Sequence, residues 1–518
     1  MKHYQDLTYH HGKLFTLGKS ILVGLLAGTV VIAYRWTLSV AEQTSFYLFS
    51  QVKSHLYLLP AAVVGLGLLA FFTGTLVARF SLISGSGIPQ VKGIIMGYLQ
   101  QNWLTTLLAK FFGGAAAILS GFALGREGPS IQLGACVGEG IGGKLAGSAT
   151  EKKILIASGA SAGLAAAFNA PLAGALFALE EIFKYFSPVI LLSTMLAAVA
   201  ADFVSTIIFG FTPVFHFPVH RAIPQSGYWL LVILGVVLGG AGAVYNYVLV
   251  TVQKRFKQCR RLNAKTRLLV PALLALLFSF GFPWVLGSGQ RVLPELYLGN
   301  ELGFLLLLLV LKFLFSVICF GSGAPGGIFF PMLVLGATIG AVFGHVAVNY
   351  LGFDPDLFNN FVIIAMAGFF TAVVRAPITG IILLVEMTGS FANLLSLTLV
   401  SVVAYAVADG LRSAPIYETL LENLIKERVP AADREAGGEK ITFAVVVQHG
   451  ASIAGKRLKE IDLPQHCLLV AVERGEREII PRGETQILAG DMLILMTDAR
   501  QETAVREALA GLTTCRRL

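Results

Sequence analysis

The stretch AAFNAPLAGALFALE, from Ala166 to Glu180, returns later in the chain as AVVRAPITGIILLVE, from Ala372 to Glu386. Ala170-Pro171 matches Ala376-Pro377, Gly174 matches Gly380 and Glu180 matches Glu386, at an offset of 377 − 171 = 206. A second pair lies upstream: Gly125-Arg-Glu-Gly-Pro129 against Gly327-Ile-Phe-Phe-Pro331, followed by Leu133-Gly-Ala135 against Leu335-Gly-Ala337, at 327 − 125 = 202. Two matches in the same order at nearly one spacing mark an internal duplication. Both lie in apolar sequence broken by Gly and Pro. Irregular backbone survives at membrane depth only where it faces protein or water, and duplicated halves with broken helices suit a binding site near the bilayer midplane.

Composition makes lipid the solvent. Of 518 residues 55% are hydrophobic and only 13% charged, with mean hydropathy +0.75, against about 25% charged in a soluble chain. The charge-free runs Tyr228–Val252, Leu268–Gln290 and Thr388–Ala408 each have the length a spanning helix needs, about 20 residues. The chain is polar up to Ser20 and its first apolar stretch continues into more of the same, which is not the pattern of a cleavable signal. The net charge of +9 does not point to nucleic acid, because seven basic residues and no acid fall between Lys254 and Arg267, between two apolar runs. That is the signature of a cytoplasmic loop. The five cysteines, Cys136, Cys259, Cys319, Cys467 and Cys515, are scattered and read as free packing thiols.

Four zones follow: a polar N-terminal cytoplasmic segment at 1–20, a membrane domain at 21–427, a linker at 428–439 and a soluble domain at 440–518. The repeat halves run about 21–215 and 226–415, separated where Pro213, Pro218 and Pro224 cluster. The expected fold class is an all-α polytopic membrane protein built of two repeats of broken and tilted helices, with a small α/β domain appended.

Three Gly-rich signatures sit beside apolar helices: Gly85-Ser-Gly-Ile-Pro89, Gly125-Arg-Glu-Gly-Pro129 and Gly323-Ala-Pro-Gly-Gly-Ile-Phe-Phe-Pro331. Pro is tolerated in a first helical turn, where its missing N–H has no partner anyway. Each signature thus reads as a helix N-terminus inside the membrane, where free N–H groups and the positive end of the dipole favour an anion. A Lys or Arg in the same place would hold an anion too tightly to release it. A carboxylate placed there, Glu127, imitates the anion; protonated, it is free to swing away. The plainer alternatives are Gly/Pro kinks and an ion pair between Arg126 and Glu127, the latter weakened because adjacent helical residues do not face each other.

GSGIP, GREGP and GGIFFP in this order, with Tyr417 in Ala-Pro-Ile-Tyr after the last apolar run, resemble the CLC chloride channel and transporter family over about residues 15–425. The resemblance implies two inverted-topology repeats per subunit and a homodimer with one pore in each subunit. It implies chloride ligation by the hydroxyls of Ser86 and Tyr417 and the backbone N–H groups of Ile328 and Phe329, with Ser86 favouring chloride over nitrate or fluoride. It makes Glu127 the gating and proton-carrying residue and Glu181 the internal proton acceptor. Glu180 and Glu181 end an apolar helix and could instead only cap it at the membrane boundary. Glu180 has a repeat counterpart in Glu386, which suggests a structural duty, whereas Glu181 aligns with Met387 and has none.

Other features are set aside. Gly138-Glu-Gly-Ile-Gly-Gly143 matches a dinucleotide fingerprint but follows no strand. Lys110 and Lys312 read as snorkelling to an interface, with a contribution to positive potential near the pathway as the alternative. His10-His11 lacks further ligands for a metal.

In the tail, strand-like runs at Ile441–Val447, Cys467–Val472, Glu478–Pro481 and Met492–Met496 precede a helical stretch, Gln501–Ala510. Gly455-Lys-Arg-Leu-Lys-Glu-Ile-Asp-Leu-Pro464, Ile480-Pro-Arg-Gly-Glu-Thr485 and Ala489-Gly-Asp491 resemble the TrkA-C (RCK C-terminal) domain, a dimeric regulatory module that often binds small ligands; a passive stabilising module is the alternative. The expected function is chloride/proton antiport across a prokaryotic inner membrane with the tail in the cytoplasm, no cofactor and no enzymatic activity. A passive gated chloride channel of the same fold is the runner-up. A potassium-uptake role hinted at by the tail would need a TVGYG-like filter, and the sequence has none.

Overall fold

The computed structural model describes residues 2–184, 186–210, 215, 217, 221–428, 440–464, 467–475, 477–498 and 502–514. Cys515, Pro213, Pro218, nearly all of the expected linker and the side chains of His10 and His11 lie outside the described set. The chain divides into two compact units, Met1–Ile425 and Lys426–Leu518.

The first unit is helical. Its first half comprises α1 (Lys2–Ser54), α2 (Leu59–Arg79), α3 (Ile88–Ile95), α4 (Trp103–Leu119), α5 (Glu127–Leu145), α6 (Ala149–Phe168), α7 (Pro171–Phe177) and α8 (Pro188–Phe209). The second comprises α9 (Tyr228–Gln258), α10 (Leu269–Gly281), α11 (Leu302–Gly321), α12 (Phe329–Leu351), α13 (Phe358–Val374), α14 (Pro377–Thr388) and α15 (Leu394–Gly410), after which α16 (Ile416–Arg428) leaves the unit. The duplication extends to element boundaries. At the 202 offset α2 and α10 end together, as do α4 and α11, while α5 and α12 start together; at 206, α7 and α14 start together, as do α8 and α15. α3 is the exception, since its counterpart is a single 3-10 turn, Leu293–Glu295.

Seven described helical segments are long and apolar enough to cross a membrane, and four more apolar helices are shorter. Two of the runs expected to span are among the short ones. In Leu268–Gln290 the helix stops at Gly281, where Phe282-Pro283 ends the i→i+4 ladder, and in Thr388–Ala408 it starts only at Leu394. α1 begins at Lys2 and passes residue 20 without a break.

The halves are joined by contacts that are their own mirror in sequence. Gly125 N–H donates to Gly327 O and Gly327 N–H to Gly125 O, both at 2.7 Å. Glu180 accepts from the N–H groups of Ile378 and Thr379 at the start of α14 at 3.1 and 2.7 Å. Glu386 returns this by accepting from Leu172 and Ala173 at the start of α7 at 2.9 and 2.8 Å. Each carboxylate thereby caps the other half's helix, satisfying orphan N–H groups at its positive end. Only halves related by a local two-fold axis can make such reciprocal pairs.

Glycine brings the paired helices to backbone contact. A Cβ on Gly134 would lie 2.0 Å from Gly159 O and one on Gly138 2.2 Å from Leu155 O, so α5 and α6 pack through small residues. At the 202 offset Gly336 and Gly340 do the same for α12 against α13. Gly138 is therefore a packing residue inside α5 rather than part of a nucleotide loop.

Lys110 and Lys312 do not snorkel. Both are fully buried instead of reaching an interface. Lys110 Nζ donates to Ile83 O and Gly85 O at 2.8 and 2.6 Å; Lys312 Nζ donates to Val285 O, Leu286 O and Gly287 O at 2.9, 3.4 and 2.9 Å. The desolvation cost of a buried ammonium is offset by the several turn carbonyls that each lysine gathers.

The second unit carries β1 (Lys440–Val446), β2 (Cys467–Arg474), β3 (Arg477–Ile479), β4 (Met492–Asp498) and α17 (Glu502–Thr513). Its sheet is antiparallel with order β1-β4-β2-β3. Phe443, Leu469, Val472, Leu493 and Leu495 from the strands meet Val505 and Leu509 from α17 in one core. Arg474 grips the buried Asp491 through Nε and Nη2 at 2.7 and 2.8 Å. Burial alone would raise the Asp491 pKa, but the Arg474 bonds and the Leu488 N–H outweigh it and hold the carboxyl below its ordinary range. The stability it contributes is thus present above the unfolded carboxylate pKa and lost as pH falls through the depressed value. In Asp491→Asn the acid-side fall in the tail's melting temperature should flatten, at a cost near neutral pH of about 1–3 kcal/mol, as read by thermal unfolding across pH.

Candidate anion and proton site

Each of the three signatures begins a helix, as the Pro positions predict: α3 behind Gly87, α5 behind Arg126 and α12 behind Ile328. Two short backbone ladders tie them together. Besides the Gly125–Gly327 pair, Gly85 N–H donates to Ala324 O and Gly326 N–H to Gly85 O, both at 3.1 Å. Gly85 and Gly87, at φ +69 and +97, hold the left-handed backbone that turns the chain around Ser86.

Ser86 and Tyr417 are brought together from opposite ends of the membrane unit. Both are buried, at 2% and 0% exposure, and their hydroxyls face each other, yet neither completes a hydrogen bond. A buried donor without an acceptor costs about 1–3 kcal/mol. Two of them converging at one buried place suit a small anion as a common acceptor. Gly128, in the first turn of α5, is packed directly on Ser86; a Cβ there would lie 2.2 Å from Ser86 Oγ. Ile328 and Phe329 occupy the N-cap and first position of α12, both fully buried, where N–H groups have no intrahelical acceptor. The Phe329 ring is fixed between Phe168 and Phe370, centroids at 5.4 and 4.8 Å.

Glu127 sits in the same cluster, 1% exposed. Its carboxylate faces the Phe330 N–H, while Oε2 has no hydrogen-bond partner. Arg126 Nε lies 3.8 Å from Oε1 without forming a hydrogen bond, so the ion pair weighed from sequence exists only as a loose charge contact.

Glu181 is fully buried in the π-helical turn Ala178–Phe183 that continues α7. Lys92 Nζ donates to its Oε1 at 3.2 Å and Lys184 Nζ stands 3.6 Å from Oε2. Glu418 completes a four-charge cluster, 2.9 Å from Lys184 and 3.6 Å from Lys92. Lys92, Lys184 and Glu418 were not singled out in the sequence. The available signal was proximity: Lys92 stands three residues past Pro89 and Glu418 next to Tyr417. α3 thus carries Ser86 before its start and Lys92 on its body, and α16 carries Tyr417 and Glu418, so the hydroxyl pair and the buried carboxylate share two helices.

Residues 66–409 match the family model described as voltage gated chloride channel. The chain belongs to that family. Among CLC relatives, the H(+)/Cl(−) exchange transporter ClcA of Vibrio cholerae is 38% identical over 422 residues, covering 79% of this chain and 89% of the relative. ClcA of Klebsiella pneumoniae is 33% identical over 426 residues, covering 80% and 90%. A slow cyanobacterial Cl−/H+ antiporter of known structure superposes with TM-score 0.73 at 29% identity, over 80% of this chain and 99% of that one. A CLC-type fluoride/proton antiporter gives 0.64 at 25%, over 78% and 97%. Residues 442–510 match the TrkA-C domain model. This CLC protein is therefore a membrane protein of two repeats with a TrkA-C domain at its C-terminal end.

Proposed function

We propose that this protein is a secondary chloride/proton antiporter in which Glu127 serves both ions and Glu181 relays protons on the inner side. The observation that carries the reading is the pair of buried, unpartnered hydroxyls of Ser86 and Tyr417 beside three helix N-termini and the Glu127 carboxylate. Donors without acceptors and dipoles of one sign suit a chloride ion, and a carboxylate among them competes with it until a proton neutralises the competitor. The exchangers named among the relatives support the same assignment. The test is reconstitution in vesicles with an imposed chloride gradient, recording proton movement and current together. Uphill proton movement driven by chloride is expected; chloride current with no proton countermovement overturns antiport in favour of the gated channel.

The partner is a second copy of the chain. The repeat-related helices α8 and α15 both turn large apolar side chains outward, Leu192, Val199 and Phe203 on one, Leu395 and Val402 on the other, a pair of faces suited to a homodimer in lipid. The tail lies in the cytoplasm on this reading. Asn246 of α9 donates to Ala414 O at 3.1 Å, so the start of α16 lies beside the part of α9 that runs on into the basic loop Lys254–Arg267. The TrkA-C domain then regulates flux through a small ligand. A chain ending at Glu427 should insert, dimerise and move chloride, with ligand-dependent rate changes lost. Complete loss of flux from well-folded truncated protein would show that the tail does more than regulate.

A further inference from the structure

The second half contains a copy of the turn that presents Ser86. Gly85-Ser86-Gly87 recurs at the 202 offset as Gly287-Ser288-Gly289, and the backbone is the same: φ is +69 and +97 at the glycines of the first turn, +66 and +101 at those of the second. Lys110 binds the Ile83 and Gly85 carbonyls, and its counterpart Lys312 binds those of Val285 and Gly287. The two turns are thus the same device, each held open by a buried lysine.

They differ in what their donors do. The Ser86 hydroxyl has no partner. The Ser288 N–H and hydroxyl both donate to Glu42 Oε1 from α1, each at 3.0 Å. α1 presses closely on this turn: a Cβ on Gly287 would lie 2.4 Å from Glu42 Oε1, and Arg291 stacks on Phe46 at 3.9 Å. Beside it is a small cavity of about 20 Å³ lined by Leu38, Glu42, Arg126, Ser288 and Gln290, room for about one water. Arg126 connects that cavity to Glu127, 3.8 Å from its Nε. A carboxylate oxygen on a serine turn, over a buried ammonium and beside a guanidinium, stands where a small anion would stand.

We propose that the Ser288 turn is an additional binding site for small monovalent anions of the halide class, on the Arg126 side of Glu127, with the Glu42 carboxylate as its resident competitor. The site uses the chemistry of the Ser86 turn, with the competing carboxylate supplied by another helix. An anion reaching Glu127 by way of Arg126 displaces Glu42 from Ser288 and then moves on. This inference rests on the chloride reading above.

Bromide is the probe, located by its anomalous scattering in crystals of the full-length protein. In Glu42→Ala the Ser288 donors are freed, and bromide should fill the place to about the occupancy it reaches at Ser86 and Tyr417. Adding Ser288→Ala should cut that occupancy by half or more. Glu42→Gln keeps an acceptor on the turn, which guards against misfolding, and should show partial bromide. In vesicles, the chloride concentration for half-maximal flux from the Arg126 side should fall about threefold or more in Glu42→Ala, because the competitor is gone. Bromide at Ser86 and Tyr417 but none at Ser288 in either Glu42 variant overturns the additional site and leaves the antiport reading intact, as does an unchanged half-saturation. Bromide at neither place defeats both.

Discussion

Glu127→Gln should reduce proton movement in reconstituted vesicles to the background of empty vesicles while chloride flux continues at the same order of magnitude. The side chain lies fully buried at the start of α5, where the dipole and the Phe330 N–H favour a negative charge. An amide keeps the shape and loses both the charge and the exchangeable proton, so it no longer competes with chloride and carries nothing in return. Since no competing charge is left for acid to neutralise, chloride flux should also lose most of its activation at low pH. Measuring chloride efflux and proton uptake on the same vesicles across pH checks both parts. Retained proton coupling in this variant would rule out Glu127 as the shared residue.

Glu181→Gln should stop proton movement as completely, by a different route and with a different pH response. Glu181 is buried and holds Lys92 at 3.2 Å. The amide oxygen still accepts from Lys92, and the loss of a charge-assisted bond, about 1.5–3 kcal/mol, should leave the protein folded. On the proposed assignment chloride flux should persist, since Ser86, Tyr417 and the helix ends keep their side chains. Glu127 still titrates, so acid activation of chloride flux should survive here and be lost in Glu127→Gln. The same pH profile in both variants would mean that the two carboxylates do not act in sequence.

Much of the membrane fold was legible because a duplication writes its own evidence. GREGP and GGIFFP mark helix starts through where Pro and Gly are tolerated, and α5 and α12 begin within two residues of where those motifs place them. The strands of the tail were legible as short strand-like runs, and β1 and β4 fall within two residues of the expected ends. What failed was inference from hydropathy alone. Leu268–Gln290 is apolar throughout, yet only half of it is helical, because burial in protein and burial in lipid select the same residue types. The lysines failed for a related reason: a lone Lys in an apolar run reads as a snorkelling side chain unless the carbonyls that could receive it are known.

From the sequence alone came the class of protein, the duplication, the helix starts and the identity of the residues at them, since these depend on local chemistry: side-chain polarity, the missing N–H of Pro and the freedom of Gly. Tertiary structure decided everything that depends on distance between remote segments. It set Ser86 facing Tyr417 across more than three hundred residues of chain, crossed the Glu180 and Glu386 caps between halves, enclosed Glu181 with Lys92, Lys184 and Glu418, and put Glu42 on the second serine turn. A charged or hydroxyl side chain has the same letter whether its partner is water, lipid headgroup or a buried carbonyl, and only the packing of the two halves determines which of these it meets.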